Sequence, residues 1–289
     1  MGILPRRGLR CKKLKSNSLV KRIAIPILLF IAAVGFALPF IWMVSTSLKA
    51  ADQLFVHPPV WIPNPINWEN YVKAVTEIAF FTQFKNSLII ATISTIGVII
   101  SCPLVGYTFA RLKWRGRDTL FLITLAVMMI PFPVTMVPLF IVWSKIGLVG
   151  TFLPMIIPAF FGVPFYIFLM RQFFKQLPRD LEDAARIDGC SEFGIYLRIM
   201  LPLCQPAVLT IALFQFMASW NDFLGPLIYL NDETKYTLQL GLQQFRTAQD
   251  TAWGPLMAAS VLVALPIIFL YFIVQKKFIQ GITFGGVKG

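Results

Sequence analysis

Charge is scarce in this chain, and so are the side chains on which most catalysis depends. Only 13% of the 289 residues are Asp, Glu, Lys or Arg, against 57% hydrophobic, and the mean hydropathy is +0.73. Soluble domains carry about 25% charged residues, so an ordinary water-soluble fold is excluded. Histidine occurs once, as His57 beside Pro58 and Pro59. It leaves no ligand cluster for a metal and no imidazole partner for a nucleophile. The pattern G-x-x-x-x-G-K-[ST], which cradles nucleotide phosphates, is missing, so the chain is not expected to hydrolyse ATP itself. Of the four cysteines, Cys11 and Cys190 fall in cytoplasmic segments and Cys102 and Cys204 in or beside apolar runs, which excludes an outer disulfide framework.

What is abundant is apolar length. A helix crosses the hydrocarbon core with about 20 mainly apolar residues. Six runs meet that requirement: Ile23–Leu48, Asn86–Ala110, Thr119–Trp143, Phe152–Met170, Pro206–Leu230 and Pro255–Val274. In lipid the backbone must satisfy itself, so these runs predict helices and not open sheets. The prolines inside them, among them Pro103, Pro131, Pro138 and Pro266, predict kinks. The expected organisation is a basic tail over 1–22, a six-span domain over 23–277 containing a cytoplasmic loop at 175–204, and a tail over 278–289.

Basic residues near span ends stay on the cytoplasmic side. With the N-terminus inside, 20 of the 26 Lys and Arg fall in inner segments, and only Lys49, Lys73, Lys85, Lys145, Lys235 and Arg246 fall outside. Both termini and the 175–204 loop are therefore expected in the cytoplasm. The formal net charge of +13 then reflects topology and contact with anionic lipid headgroups, not nucleic-acid binding. Ionisable groups inside spans mark ion-coupled transport. Only Asp222, after Trp220 and Asn221, answers that description, so energy is expected from a partner.

The polar loop reads Leu177-Pro178-Arg179-Asp180-Leu181-Glu182-Asp183-Ala184-Ala185-Arg186-Ile187-Asp188-Gly189, and later Ile199-Met200-Leu201-Pro202. Pro178 suits a first helical position, the acids complement a helix N-terminus, and Gly189 permits the left-handed residue that ends a helix. Ser191 can cap a second helix running to Pro202. Asp188, an acid in a last turn, opposes the helix dipole and points to a partner or a cap. A helix-turn-helix at the membrane surface results, with Ala184 and Ala185 keeping one face slim.

The order Asp-Ala-Ala, three residues, Gly, nine residues, Ile-x-Leu-Pro resembles the cytoplasmic coupling loop of bacterial ABC import permeases, with Asp183 where that family usually has Glu. Asn86-Ser87-Leu88, Tyr107 to Arg111, Ile130-Pro131, Arg171 to Phe174, Trp220-Asn221 and the closing Gly285 to Gly289 are similar to the maltose-type sugar permeases. The resemblance implies an all-α polytopic membrane protein of the bacterial inner membrane, with six helices in an importer bundle. It implies a second homologous permease subunit, an ATP-binding subunit dimer and an extracytoplasmic solute-binding protein as partners. ATP and Mg would sit on the ATPase, with no cofactor on this chain. On the motif, Asp183, Ala184, Ala185, Arg186, Asp188, Gly189 and Pro202 are assigned to ATPase coupling, and Lys288 and Gly289 to a second ATPase contact. Trp220, Asn221 and Asp222 stand either along the translocation path, Trp stacking on a sugar and the amide bonding hydroxyls, or between helices as structural ties. The same machinery carrying glycerol phosphate, and a scaffold or channel without ATP coupling, are the alternatives. Six outer acids balance the six outer cations, which favours a neutral oligosaccharide.

Overall fold

A computed structural model describes residues 18–246 and 251–285. Among these residues fourteen α-helices follow one another: α1 Ser18–Ser47, α2 Glu69–Thr76, α3 Phe80–Arg111, α4 Arg117–Val127, α5 Phe132–Lys145, α6 Leu153–Phe160, α7 Pro164–Gln176, α8 Asp180–Ile187, α9 Glu192–Ile195, α10 Leu201–Leu203, α11 Gln205–Trp220, α12 Leu224–Tyr229, α13 Leu238–Gln244 and α14 Trp253–Gly285. No strand occurs among the described residues. Among the described residues four segments are long and apolar enough to cross a membrane: Arg22–Ser47, Phe80–Arg111, Leu153–Gln176 and Trp253–Gln275.

Two further spans are broken. The expected third span is α4 and α5, bent by 99°, and the expected fifth begins at an elbow where Glu192–Leu203 meets Gln205–Trp220 at 78°. The first break falls at Pro131, which lacks an N–H and forces the preceding residue out of the helical region. The second falls at Cys204, between Pro202 and Pro206. Pro103 and Pro266, by contrast, lie inside helices that continue through them. The fifth span also stops early, at Trp220, and α12 resumes after Phe223.

α3 is the axis of the bundle, packed on α6, α7 and α11. It joins two apolar clusters. One, toward α8, gathers Val98, Tyr107, Met170, Phe174, Ala185, Ile195 and Met200; the other, at the opposite end, gathers Ala74, Ala91, Trp220, Leu238 and Ala259. Small residues let α3 approach its neighbours closely, the usual device where lipid offers no hydrophobic drive for helix association. Ser94 donates to the carbonyl of Met155 at 3.3 Å. Ser101 donates to the carbonyl of Ala159 at 2.9 Å, and the Val163 amide donates to Cys102 Sγ at 3.3 Å. These bonds bridge the gap between α6 and α7, where Gly162 takes φ +93°.

At Gly106 a Cβ would stand 2.8 Å from Met170 Cβ and 3.1 Å from the Arg171 amide. Neither neighbour is a flexible tip. Gly106→Ala is therefore expected to cost about 1–3 kcal/mol through forced separation of α3 and α7. A lowered thermal midpoint in detergent checks it, and an unchanged midpoint sinks it.

The segment between α1 and α3 folds back on the bundle: the Asn70 amide donates to the carbonyls of Ser47 and Lys49, and α2 packs on α14. Lys49, expected in the outer aqueous segment, is buried with its ammonium 3.8 Å from the centre of the Trp42 ring.

Candidate functional site: the helix-turn-helix between α7 and α11

The loop assembles from local rules. α8 opens with Asp180, Glu182 and Asp183 in its first turn, where carboxylates offset the exposed amide dipoles. It starts two residues after Pro178, with Arg179 as its N-cap. It ends in a Schellman turn: the Gly189 amide donates to Arg186 O at 3.1 Å and the Cys190 amide to Ala185 O at 2.9 Å. That turn needs a left-handed residue, and Gly189 has φ +80°. Asp188 is the C-cap residue. Ser191 Oγ then accepts from the Gly194 amide at 3.2 Å and starts α9. The helix does not stop at Pro202 as expected. It widens into a π turn over Tyr196–Met200 and continues through Leu203 to the elbow, so the exposed Pro202 belongs to the bend.

The two faces of the loop differ in kind. Inward, Ala185, Ile195, Tyr196 and Met200 join the core. Outward, Asp183, Ala184, Asp188 and Gly189 are exposed. So are four large apolar side chains, Leu181, Ile187, Phe193 and Leu197, with Ile187 at 87%. The two alanines thus part company: Ala184 is available to a partner, whereas Ala185 seats α8 on the bundle and cannot be touched from outside. That corrects the assignment of both to one contact face.

Of the acids of α8, Glu182 is the buried one, 3% exposed. Its Oε1 lies 3.2 Å from Arg111 Nε. Burial holds the Glu182 carboxyl above the usual carboxylate range, and the Arg111 and Arg186 guanidinium groups beside it offset that only in part. Arg186 is not a free cation: its Nε donates to Glu192 Oε1 at 2.7 Å and its Nη1 to Asp183 Oδ1 at 2.8 Å. Those bonds, Glu192's first, hold Arg186 more firmly protonated. A cavity of about 690 Å³ lies against this network, lined by Arg111, Lys113, Trp114, Arg179 and Glu182 among others.

At the far end of α11 the three polar residues separate. The Trp220 indole is 1% exposed, edge-on to Phe84 and stacked on Phe216, and donates to Val263 O at 3.1 Å. No ring face remains for a sugar, which corrects the stacking role. Asp222 accepts from the Gly225 amide at 3.1 Å at the start of α12. Asn221 alone is exposed, its amide donating to Met217 O and its Oδ1 facing Gln239. Lys288 and Gly289 lie outside the described residues. Sequence reasoning missed Glu182 and Arg111. A signal existed for the first: Glu182 and Ala185 are three apart and so share the inward face of α8.

A family model described as "Binding-protein-dependent transport system inner membrane component" matches residues 103–284, more than half of the chain. The arabinooligosaccharides transport system permease protein AraQ of Halalkalibacterium halodurans is 36% identical over 93% of this chain and 100% of its own length. The diacetylchitobiose uptake system permease protein DasC of Streptomyces coelicolor is 29% identical over 89% of this chain and 93% of its own. Among solved structures, a chain of a bacterial ABC transporter involved in import of the acidic polysaccharide alginate superposes with a TM-score of 0.76 at 25% identity, covering 90% of this chain and 98% of that one.

Proposed function

Because the chain belongs to the family of binding-protein-dependent transport system inner membrane components, we propose that its α8–α9 helix-turn-helix is the plug by which a separate ATPase drives it. The chain is a multi-pass permease subunit of an ABC importer. The observation that carries the plug is the outward face of the loop. Leu181, Ile187 and Phe193 are exposed on a segment whose acids and arginines cannot enter lipid without heavy cost. Apolar knobs among paired charges on a short capped helix suit a groove in another protein. The excess of Lys and Arg at this end supports a cytoplasmic position for it and for both termini.

In the proposed cycle, nucleotide-driven closure of an ATPase dimer carries α8 with it and turns the bundle from inward-facing to outward-facing. A second homologous permease completes the pathway, and an extracytoplasmic binding protein delivers the solute. ATP and Mg belong to the ATPase. A carbohydrate is the proposed cargo, in keeping with relatives named for arabinooligosaccharide and diacetylchitobiose transport. Exposed amides such as Asn221 can bond sugar hydroxyls. Purification of the tagged chain from its native membrane in mild detergent tests the assembly: an ATPase and a second permease are expected to co-purify. A photo-crosslinker on exposed Cys190 is expected to capture the ATPase. A chain that elutes alone and crosslinks only to lipid sinks the reading. Ile187→Asp, which leaves every core contact in place, is expected to weaken retention of the ATPase by about tenfold.

A further inference from the structure

Two residues that close α3, Tyr107 and Arg111, both with buried side chains, tie the loop to the bundle. One helical turn apart, they share a face. The Arg111 side chain is 3% exposed. Its Nη2 donates to the carbonyls of Phe174 and Leu177, at the end of α7, while its Nε faces Glu182 in the first turn of α8. The Tyr107 hydroxyl donates to Glu192 Oε2 at 3.4 Å, at the start of α9, and its ring packs on Phe174 and Tyr196. Arg186 closes the circuit by bonding Glu192 and Asp183. One turn of α3 therefore grips the end of α7 and the starts of both loop helices.

The other end of α3 is tied just as firmly. The Asn86 amide donates to the carbonyls of Thr234 and Tyr236, and Ser87 Oγ accepts from the Leu238 amide at 2.9 Å. Gln83 lies so close to Gly241 of α13 that a Cβ there would overlap its amide.

We propose that α3 is the rod that carries loop movement across the membrane, and that Tyr107 and Arg111 are the positioning residues that engage it. This rests on the docking of α8–α9 described above. Glu182 and Arg111 lose each other, the one buried charge partner each has among the described residues, if α8 moves alone, so α8 and the end of α3 move together. α3 runs about 48 Å at the rise of an ordinary helix, which brings the same displacement to the segment Thr234–Leu238. Coupling then passes through a contiguous packed element tied at both ends.

The test uses the complex co-purified with its ATPase, in nanodiscs, with a cysteine at exposed Glu233 (E233C) in a Cys11→Ser background. Maleimide labelling is read peptide by peptide at position 233 and at native Cys190, with and without ATP and vanadate. In the wild-type background both positions are expected to change rate on trapping, by about tenfold. With Arg111→Gln the Cys190 response is expected to persist while the response at position 233 falls below about twofold. Arg111→Lys, which keeps the charge but not the fork, is expected to restore part of it. A full response at position 233 in Arg111→Gln overturns the proposal. If that variant does not assemble, Tyr107→Phe decides, since it removes one hydroxyl: a full distal response overturns the proposal and a diminished one upholds it. A Cys190 rate indifferent to nucleotide in the wild-type background refutes the docking reading instead.

Discussion

Gly189→Val is expected to abolish nucleotide-driven coupling and retention of the ATPase while leaving the amount of chain in the membrane unchanged. Gly189 sits at φ +80°, where an L-residue costs about 1–2 kcal/mol and a β-branched one more. Nothing lies within 4 Å of a Cβ built there, so the penalty is conformational and not steric. The turn escapes it by leaving the left-handed region, and the Cys190 to Ala185 bond goes with it. Ser191 then no longer starts α9 at the right distance from α8, and the outward knobs Ile187 and Phe193 lose their fixed separation. Asn tolerates this conformation better than other side chains. Gly189→Asn is accordingly expected to keep most of the ATPase in a pull-down where Gly189→Val keeps little. Equal retention by the two variants would show that the turn is not what the partner reads.

The second large effect is at Trp220. Removing this indole empties the space between Phe84, Phe216 and α14 and strips Val263 O of its donor. Trp220→Ala is expected to lower stability by about 3–5 kcal/mol, seen as an early thermal transition in detergent. Asn221→Ala, one residue on, is expected to change stability by less than about 0.5 kcal/mol, because that side chain is exposed and bonds only locally. Any effect of Asn221→Ala on transport would then be a matter of the pathway and not of folding. A native-like transition in Trp220→Ala would contradict the packing role.

The contrast between these two sites shows what one-dimensional reasoning reaches. The loop was legible because its determinants are local: a glycine that must be left-handed, a serine three residues before the amide it caps, acids at a helix start. The spans were legible because the requirement for apolar length is blunt. The breaks in them were not, since Pro131 bends its span by 99° while Pro103 and Pro266 leave theirs continuous. Whether a proline breaks a helix in lipid depends on what neighbours supply to the freed carbonyls, and neighbours are not written in the local sequence. The same holds for Arg111 and Glu182. Each reads as an ordinary cytoplasmic charge until the fold sets them side by side, and the acid that sequence pattern singled out, Asp183, turns out to serve Arg186 on the surface.

The repair between α6 and α7 bears on how the molecule is made. Ser101 and Cys102 of α3 supply bonding partners to the Ala159 carbonyl and the Val163 amide at the interruption of the fourth span. Without α3 beside it, that span would present two unmet backbone groups to hydrocarbon. Arrival after α3 spares the span that cost, and synthesis from the N-terminus delivers the helices in that order.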